Sequence, residues 1–194
     1  MCFYMLRAKR TRGIIMKQST ICLSFVALAL MLLLSGCGGI SVKKMTPDID
    51  TALITRFDKS INVITAAGAR KGVFGGPAMV SNDEFTDALV ATLKKANLFK
   101  EVYKNSKSDY ELYSDLVAQG QGVSLNYESA LVVQYRIVDP KNNEVIWKKG
   151  FNSRFTVTVL QSFSGAVRTT KAQEGSVRSN LSQLIQSLSS AKLP

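Results

Sequence analysis

Residues 129–149, SALVVQYRIVDPKNNEVIWKK, decide how the rest of the chain is read. The first ten are dominated by Val, Ile, Leu and Tyr, residue types that fit a pleated, half-buried surface. Asp139-Pro140-Lys141-Asn142-Asn143 interrupts them, and the chain returns as EVIWKK. Proline presets a turn dihedral and asparagine tolerates left-handed backbone, so two apolar runs separated in this way form a hairpin. Downstream, FNSRFTVTV (151–159) keeps Phe151, Phe155, Val157 and Val159 on one parity and continues or adds a strand. Gly150 between the two runs is the expected place for a bulge or bend. Upstream, Tyr110, Leu112, Leu116 and Ala118 share a parity broken only by Ser114, which predicts a strand over 110–118. Gln119-Gly120-Gln121-Gly122 is then expected as a flexible link.

Two helices frame these strands. Ser81-Asn82-Asp83-Glu84 carries a capping-box pattern, with Ser81 as cap and Glu84 three residues on. Phe85, Ala88, Leu89, Thr92, Leu93 and Ala96 follow at helical spacing, Lys94 and Lys95 suit the last turn, and Asn97 suits the stop. The segment 165–193 begins irregularly and becomes helical, with Val177, Leu181, Leu184 and Leu188 on one face. Glu174 and Arg178, four apart, are placed to pair for a few tenths of a kcal/mol. Before the first helix, KSINVITA (59–66) reads as a strand; after it, Leu98-Phe99 and Val102-Tyr103 lead into the polar turn KNSKSD. The expected fold is α+β, a single domain with a mainly antiparallel four- to five-stranded sheet and two helices packed on it, in β-α-β-β-β-α order.

The N-terminal region is of another kind. Arg7, Lys9, Arg10, Arg12 and Lys17 precede an apolar run from Ile21 to Leu34, and no acidic residue occurs before Asp48. A basic start, a short apolar core and a small-residue exit describe a secretory signal, too short for the roughly 20 residues of a bilayer span. Met16-Lys17-Gln18 would make an ordinary start, so either Met16 or Met5 is the expected initiator, Met16 being favoured, and 1–15 would then be a misassigned extension. The run closes with Leu34-Ser35-Gly36-Cys37, which resembles the lipobox of bacterial lipoproteins. That resemblance implies cleavage between Gly36 and Cys37 and lipidation of Cys37. Residues 1–36 are then signal, 37–57 a lipidated N-terminus and tether, and 58–194 the periplasmic domain. The tether carries two glycines, Lys43-Lys44 and Pro47, and reads as a spacer, or as a segment whose Leu53-Ile54 end packs on the domain.

Removing the signal changes the chemistry left to the chain. Five of the 25 basic and none of the 14 acidic residues precede Cys37, so 20 face 14 thereafter, a net +6. A modest excess of this kind favours anionic headgroups, cell-wall polymer or an acidic partner. No compact basic and aromatic motif calls for nucleic acid. Of three cysteines, Cys2 and Cys22 leave with the signal and Cys37 is consumed by lipid, so no thiol remains for a disulfide, metal or nucleophile. Histidine is absent from the sequence, which excludes Ser-His-Asp triads and the usual zinc sites. No cofactor is called for.

Candidate site residues are few. The loop 68–77, GARKGVFGGP, has glycines that suit backbone anion binding, but no Gly-Lys-Ser/Thr follows and the dinucleotide fingerprint is missing. Arg70 and Lys71 remain as an anionic contact. Trp147, the one tryptophan, is either a partner anchor or a packed edge residue. Lys148, Lys149 and Arg154 are either a binding patch or a solvated sheet face. Asp109, Glu111 and Asp115 alternate toward one face, as paired-carboxylate hydrolases require, and a polar outer face accounts for the same pattern. Ser164, Arg168 and Lys171 carry no local Ser–Lys motif.

From Phe85 onward the chain resembles small Gram-negative envelope lipoproteins, including the YajG-like and transporter-auxiliary groups. The features that carry this are LKKANLF, YELYSDL, VVQYRIVDPKNNEVIWKK and AVRTTKAQEGSVRSNLSQLIQSL. The resemblance implies a non-enzymatic, lipid-anchored module of the outer membrane that holds a protein or glycolipid partner for envelope assembly, transport or maintenance. Some proteins that look like this carry the name UDP-N-acetylglucosamine acyltransferase, but the repetitive β-helix and catalytic histidine of such enzymes are missing here. An envelope enzyme acting on a sugar or acyl substrate, and an activator of a cell-wall synthase, are the competing expectations.

Overall fold

The computed structural model describes residues 39–50, 56–68, 80–123 and 125–194. The signal, Gly36, Cys37, Leu53-Ile54, Arg70 and Lys71 lie outside the described residues. Gly39–Pro194 forms one compact unit. Its elements are α1 (Val42–Met45), β1 (Phe57–Val63), α2 (Asn82–Ala96), β2 (Phe99–Lys104), β3 (Tyr110–Val123), β4 (Tyr127–Asp139), β5 (Glu144–Val157), a 3₁₀ turn (Val159–Gln161) and α3 (Gly165–Ser189).

The sheet has five strands in the order β2-β1-β3-β4-β5. It is mixed: β1 runs parallel to both neighbours, whereas β3, β4 and β5 form an antiparallel meander. The sheet is mostly antiparallel, as expected, but not purely so: β1 adds parallel pairs with β2 and β3. Phe99-Lys100-Glu101-Val102-Tyr103-Lys104 is an edge strand, and α2 is the crossover that a parallel β1–β2 pair requires. Only Phe99 of β2 is buried, so its sequence lacks the alternation that announces a half-buried strand. The polar turn after it is anchored to β1. Ser106 donates its N–H to the buried Asn62 Oδ1 at 2.9 Å, and Asp109 accepts from both the N–H and hydroxyl of Ser60.

Two further expectations are revised. Gln119-Gly120-Gln121-Gly122 is not a link but the second half of β3, paired residue for residue with 128–131. Gly120 and Gly122 lie against Ala130 and Glu128 on β4, so the ladder supplies the order their side chains lack. Nor does Gly150 mark a bulge: it pairs regularly with Gln134, and the irregularity falls at Ile146, between the pairs Ile137–Trp147 and Val138–Val145.

Alternation builds one core. Ile61, Val63, Leu112, Leu116, Leu131, Val133, Tyr135 and Ile137 point from the sheet into a cluster with Phe85, Leu89 and Leu93 of α2 and Val177, Leu181 and Leu184 of α3. The capping box at α2 forms in both directions, with Ser81 Oγ accepting from Glu84 N–H and Glu84 accepting from Ser81 N–H. Asn97 closes the helix in left-handed backbone at φ 52°.

α3 is helical from Gly165, earlier than its sequence suggests, and covers β4 and β5. Gly175 permits the approach, since a Cβ there would sit 2.2 Å from the Phe155 ring. Glycine costs a helix interior about 1 kcal/mol relative to alanine. Gly175→Ala is therefore expected to lower the melting temperature despite the gain in helix propensity, because the ring of Phe155 must leave its place. A rise in melting temperature would show that this close approach does not exist.

Candidate functional site

β5 is an edge strand of fourteen residues, hydrogen-bonded to β4 on one side, with no strand on its other side among the described residues. α3 lies along its inner face, and the two together form a cleft. Asn180 bridges it in the middle. Its Nδ2 donates to Phe151 O at 3.1 Å and to Ser153 Oγ at 3.3 Å, while its Oδ1 accepts from the Tyr135 hydroxyl at 2.7 Å. Burial of Tyr135 pushes its phenol well above the ordinary range, so it stays a donor. On either side of this bridge the cleft opens into a groove.

The groove toward the β4–β5 turn, about 510 Å³, is lined by Trp147, Lys149 and Phe151 and by the C-terminal turns of α3. Trp147 and Phe151 are half-buried against the core, and Lys149 donates to Ser187 Oγ at 2.8 Å. The other groove, about 480 Å³, has Phe155 and Val157 as its floor and Lys44, Lys171 and Arg178 on its rim. Glu174 forms its inner wall and is 3% exposed. Its carboxylate accepts the Ser41 N–H at 2.9 Å and lies 3.9 Å from Lys44 Nζ. Arg178 stands 5.7 Å from the centre of the Phe155 ring and donates to Lys44 O at 3.2 Å. Three cations around one buried, paired carboxylate leave this groove positive, with an aromatic floor.

These contacts place the residues singled out in the sequence. Trp147 and Lys149 face α3, whereas Lys148 and Arg154 lie on the opposite, solvent side, where Arg154 is 3.8 Å from Glu128. The patch of Trp147, Lys148 and Arg154 is thus split by the sheet. Glu174 and Arg178 do not pair along α3; both are taken by residues 41–44. Lys44, Glu174 and Arg178 lie more than 130 positions apart in part, and the only sequence signals for them were the Lys43-Lys44 pair and the four-residue spacing on α3. Arg168 donates to Ser162 O and Phe163 O rather than meeting Ser164 as catalytic partner.

The alternating carboxylates are engaged separately. Asp115 bonds Arg136 at 2.9 Å, Glu111 accepts from the Tyr113 hydroxyl at 2.7 Å, and Asp109 is held by Ser60. Arg136 also stacks 4.6 Å above the Tyr113 ring. Each carboxylate thus has its own partner. Among the described residues no group of three or more Cys, Asp or Glu is placed to hold a metal ion.

No protein-family model and no curated protein sequence matches the chain. Solved structures do. Protein XCC0632 from Xanthomonas campestris, of the family DUF330, is 15% identical with a TM-score of 0.58, over 72% of this chain and 87% of that one. A PelC dodecamer subunit from Paraburkholderia phytofirmans is 14% identical with a TM-score of 0.50, over 76% and 95%. A minor lipoprotein from Acinetobacter baumannii is more distant, 12% identical with a TM-score of 0.46 over 72% and 96%. At such identities the likeness to the first two is one of fold. Among the described residues no helix is long and apolar enough to cross a membrane.

The bonds from Ser60 to Asp109, backbone first and hydroxyl second, hold that carboxyl below its ordinary value of 3.8. A depressed folded pKa stabilises the fold above the unfolded value and ceases to do so as pH falls through the folded one. Asp109→Asn is expected to lower the melting temperature at about pH 7. The gap to the parent should narrow steadily below about pH 4; a gap independent of pH over that window would refute the linkage.

Proposed function

We propose that the chain is a lipid-anchored, non-enzymatic accessory module of the bacterial envelope, attached through Cys37 to the periplasmic face of the outer membrane. The observation that carries this reading is the seating of the segment just after the lipobox. Ile40, Val42 and Ile49 pack on the core, Met45 is fully buried, and the Ser41 amide is locked to Glu174. A domain that begins this close to the expected processing point is matched to a signal removed at Cys37. Within the expected 37–57 tether, Ile40, Val42 and Ile49 lie on the domain, and Gly38 and Gly39 stand between Cys37 and that packed chain, a reach of about 11 Å when extended.

Gly38 stands where an aspartate resembles an inner-membrane retention signal, and this supports the outer membrane. Confinement there raises the effective concentration of any partner on the same surface. The β5–α3 cleft is the face offered to that partner, which we take to be an envelope protein supplying an extended segment. β5 provides an edge with no neighbouring strand among the described residues, and Trp147, Phe151 and Phe155 provide aromatic seats beside it, the arrangement that strand addition uses. Envelope transport, assembly and maintenance are the settings in which such a module would act.

Cys37→Ala is expected to leave an unlipidated precursor that no longer fractionates with the outer membrane; unchanged fractionation would overturn the anchor. A photo-crosslinking side chain placed at Lys149 in intact cells is expected to trap one envelope protein, and the same side chain at Lys148, on the opposite face, should not. Equal trapping from both positions would remove the cleft from the proposal.

A further inference from the structure

The end of the domain where β3 turns into β4 and β5 runs into α3 exposes large apolar side chains. Leu160 is 90%, Phe163 85%, Leu125 82% and Val167 41% exposed. The pairing of Tyr127 with Val157 brings the Leu125 turn beside the turn that carries Leu160 and Phe163. These side chains sit on held backbone. Thr158 and Gln161 cap the 3₁₀ turn reciprocally, and Arg168 fixes Ser162 O at 2.7 Å and Phe163 O at 3.0 Å. A soluble surface rarely gathers apolar side chains of this size without use for them.

Charge is layered behind the apolar tip. Lys171 lies one helical turn beyond Val167, and Arg178 and Lys44 lie about two further turns along α3. The carboxylates nearest this end, Glu128 and Glu174, are each ion-paired, with Arg154 and Lys44. Apolar side chains outermost and cations about 6 to 16 Å behind match the acyl boundary and the anionic headgroups of a bilayer.

Chain direction adds an independent argument. Ser41 meets Glu174, Lys44 meets Arg178, and Asp48 to Asp50 meet residues 182–189 near the other end of α3. The segment therefore climbs α3 from its N-terminal half toward its C-terminus. Followed backward from Ser41, it heads for the apolar end. Glu174 is about 10 Å along α3 from Val167, and three residues of extended chain, the separation of Ile40 from Cys37 in sequence, span about as much.

We propose that Leu125, Leu160, Phe163 and Val167 form a membrane-docking tip that enters the interface of an anionic phospholipid bilayer beside the lipid on Cys37, with Lys171, Arg178 and Lys44 on the headgroups. This inference rests on the lipid-anchor reading. It fixes the orientation of the domain, with the β4–β5 turn and Trp147 directed away from the bilayer, about 30 Å from the tip along β5.

Trp147 supplies the internal control. The processed, full-length lipoprotein is reconstituted into vesicles of phosphatidylethanolamine and phosphatidylglycerol with brominated acyl chains. Quenching of Trp147 in the parent is compared with quenching in a Trp147→Phe, Phe163→Trp double variant, whose new indole occupies a site already exposed in the fold. The expected result is several-fold stronger quenching in the double variant, lost on replacing Leu160 and Lys171 with glutamate. A chain that floats with the vesicles but shows equal, weak quenching at both positions overturns the docking tip and leaves the anchor standing. A chain that does not float overturns the anchor and the tip with it.

Discussion

Asn180 sets the register of α3 over the sheet. It is fully buried, and its one amide satisfies Tyr135 on β4 and both Phe151 O and Ser153 Oγ on β5. A half-turn rotation or a one-residue slip of α3 would break all three bonds and leave buried polar groups unpaired, each at about 1–3 kcal/mol. Apolar packing alone would tolerate such slips more readily, because leucines at helical spacing interchange with little change of area. The polar bridge therefore specifies the arrangement in which Gly175 meets Phe155. Everything that hangs on α3 inherits that precision, including both grooves, the seat of residues 40–49 and the turn that presents Phe163.

The buried Glu174 plays the corresponding part for the N-terminal segment. A carboxylate at this depth is tolerated because the Ser41 amide and Lys44 meet it. The α1 turn is only four residues long and could not hold itself as a helix. Its position comes from Met45 in the core and from Glu174 at its start. A structural ion pair thus decides where residues 41–45 lie on the domain, a matter of position more than of stability.

Much of the fold was legible because local and global preferences agree. The β4–β5 hairpin, the capping box at Ser81 and the left-handed stop at Asn97 each follow from chemistry within a few residues. The misses share a cause. β2 was hidden because an edge strand with one buried residue shows no alternation. The Gln119–Gly122 stretch was hidden because its order comes from β4, not from its own side chains. The cationic groove was harder still, since Lys44, Glu174 and Arg178 come together only when the chain returns past its own beginning. For Glu174 and Arg178 the local rule named a partner at four residues, and the Ser41 amide and Lys44 carbonyl, far away in sequence, outcompeted it.

The exposed edge of β5 raises a separate question of physics, because a long unpaired strand invites uncontrolled association. Three features limit it here. The bulge at Ile146 breaks the regular ladder near one end, Lys148 and Lys149 place adjacent charges beside it, and Gln183 of α3 reaches over to accept no strand but to donate to Asn152 O at 3.2 Å. Asn180 takes Phe151 O in the same way. Carbonyls alternate in direction along a strand, so one of these two faces the free edge, and α3 occupies one edge acceptor in the middle of β5. What remains open lies on either side of the bridge, next to Trp147 and next to Phe155. The strand partner proposed for this edge would meet one acceptor already taken, which favours a segment with its own aromatic or apolar anchors over indiscriminate pairing between copies.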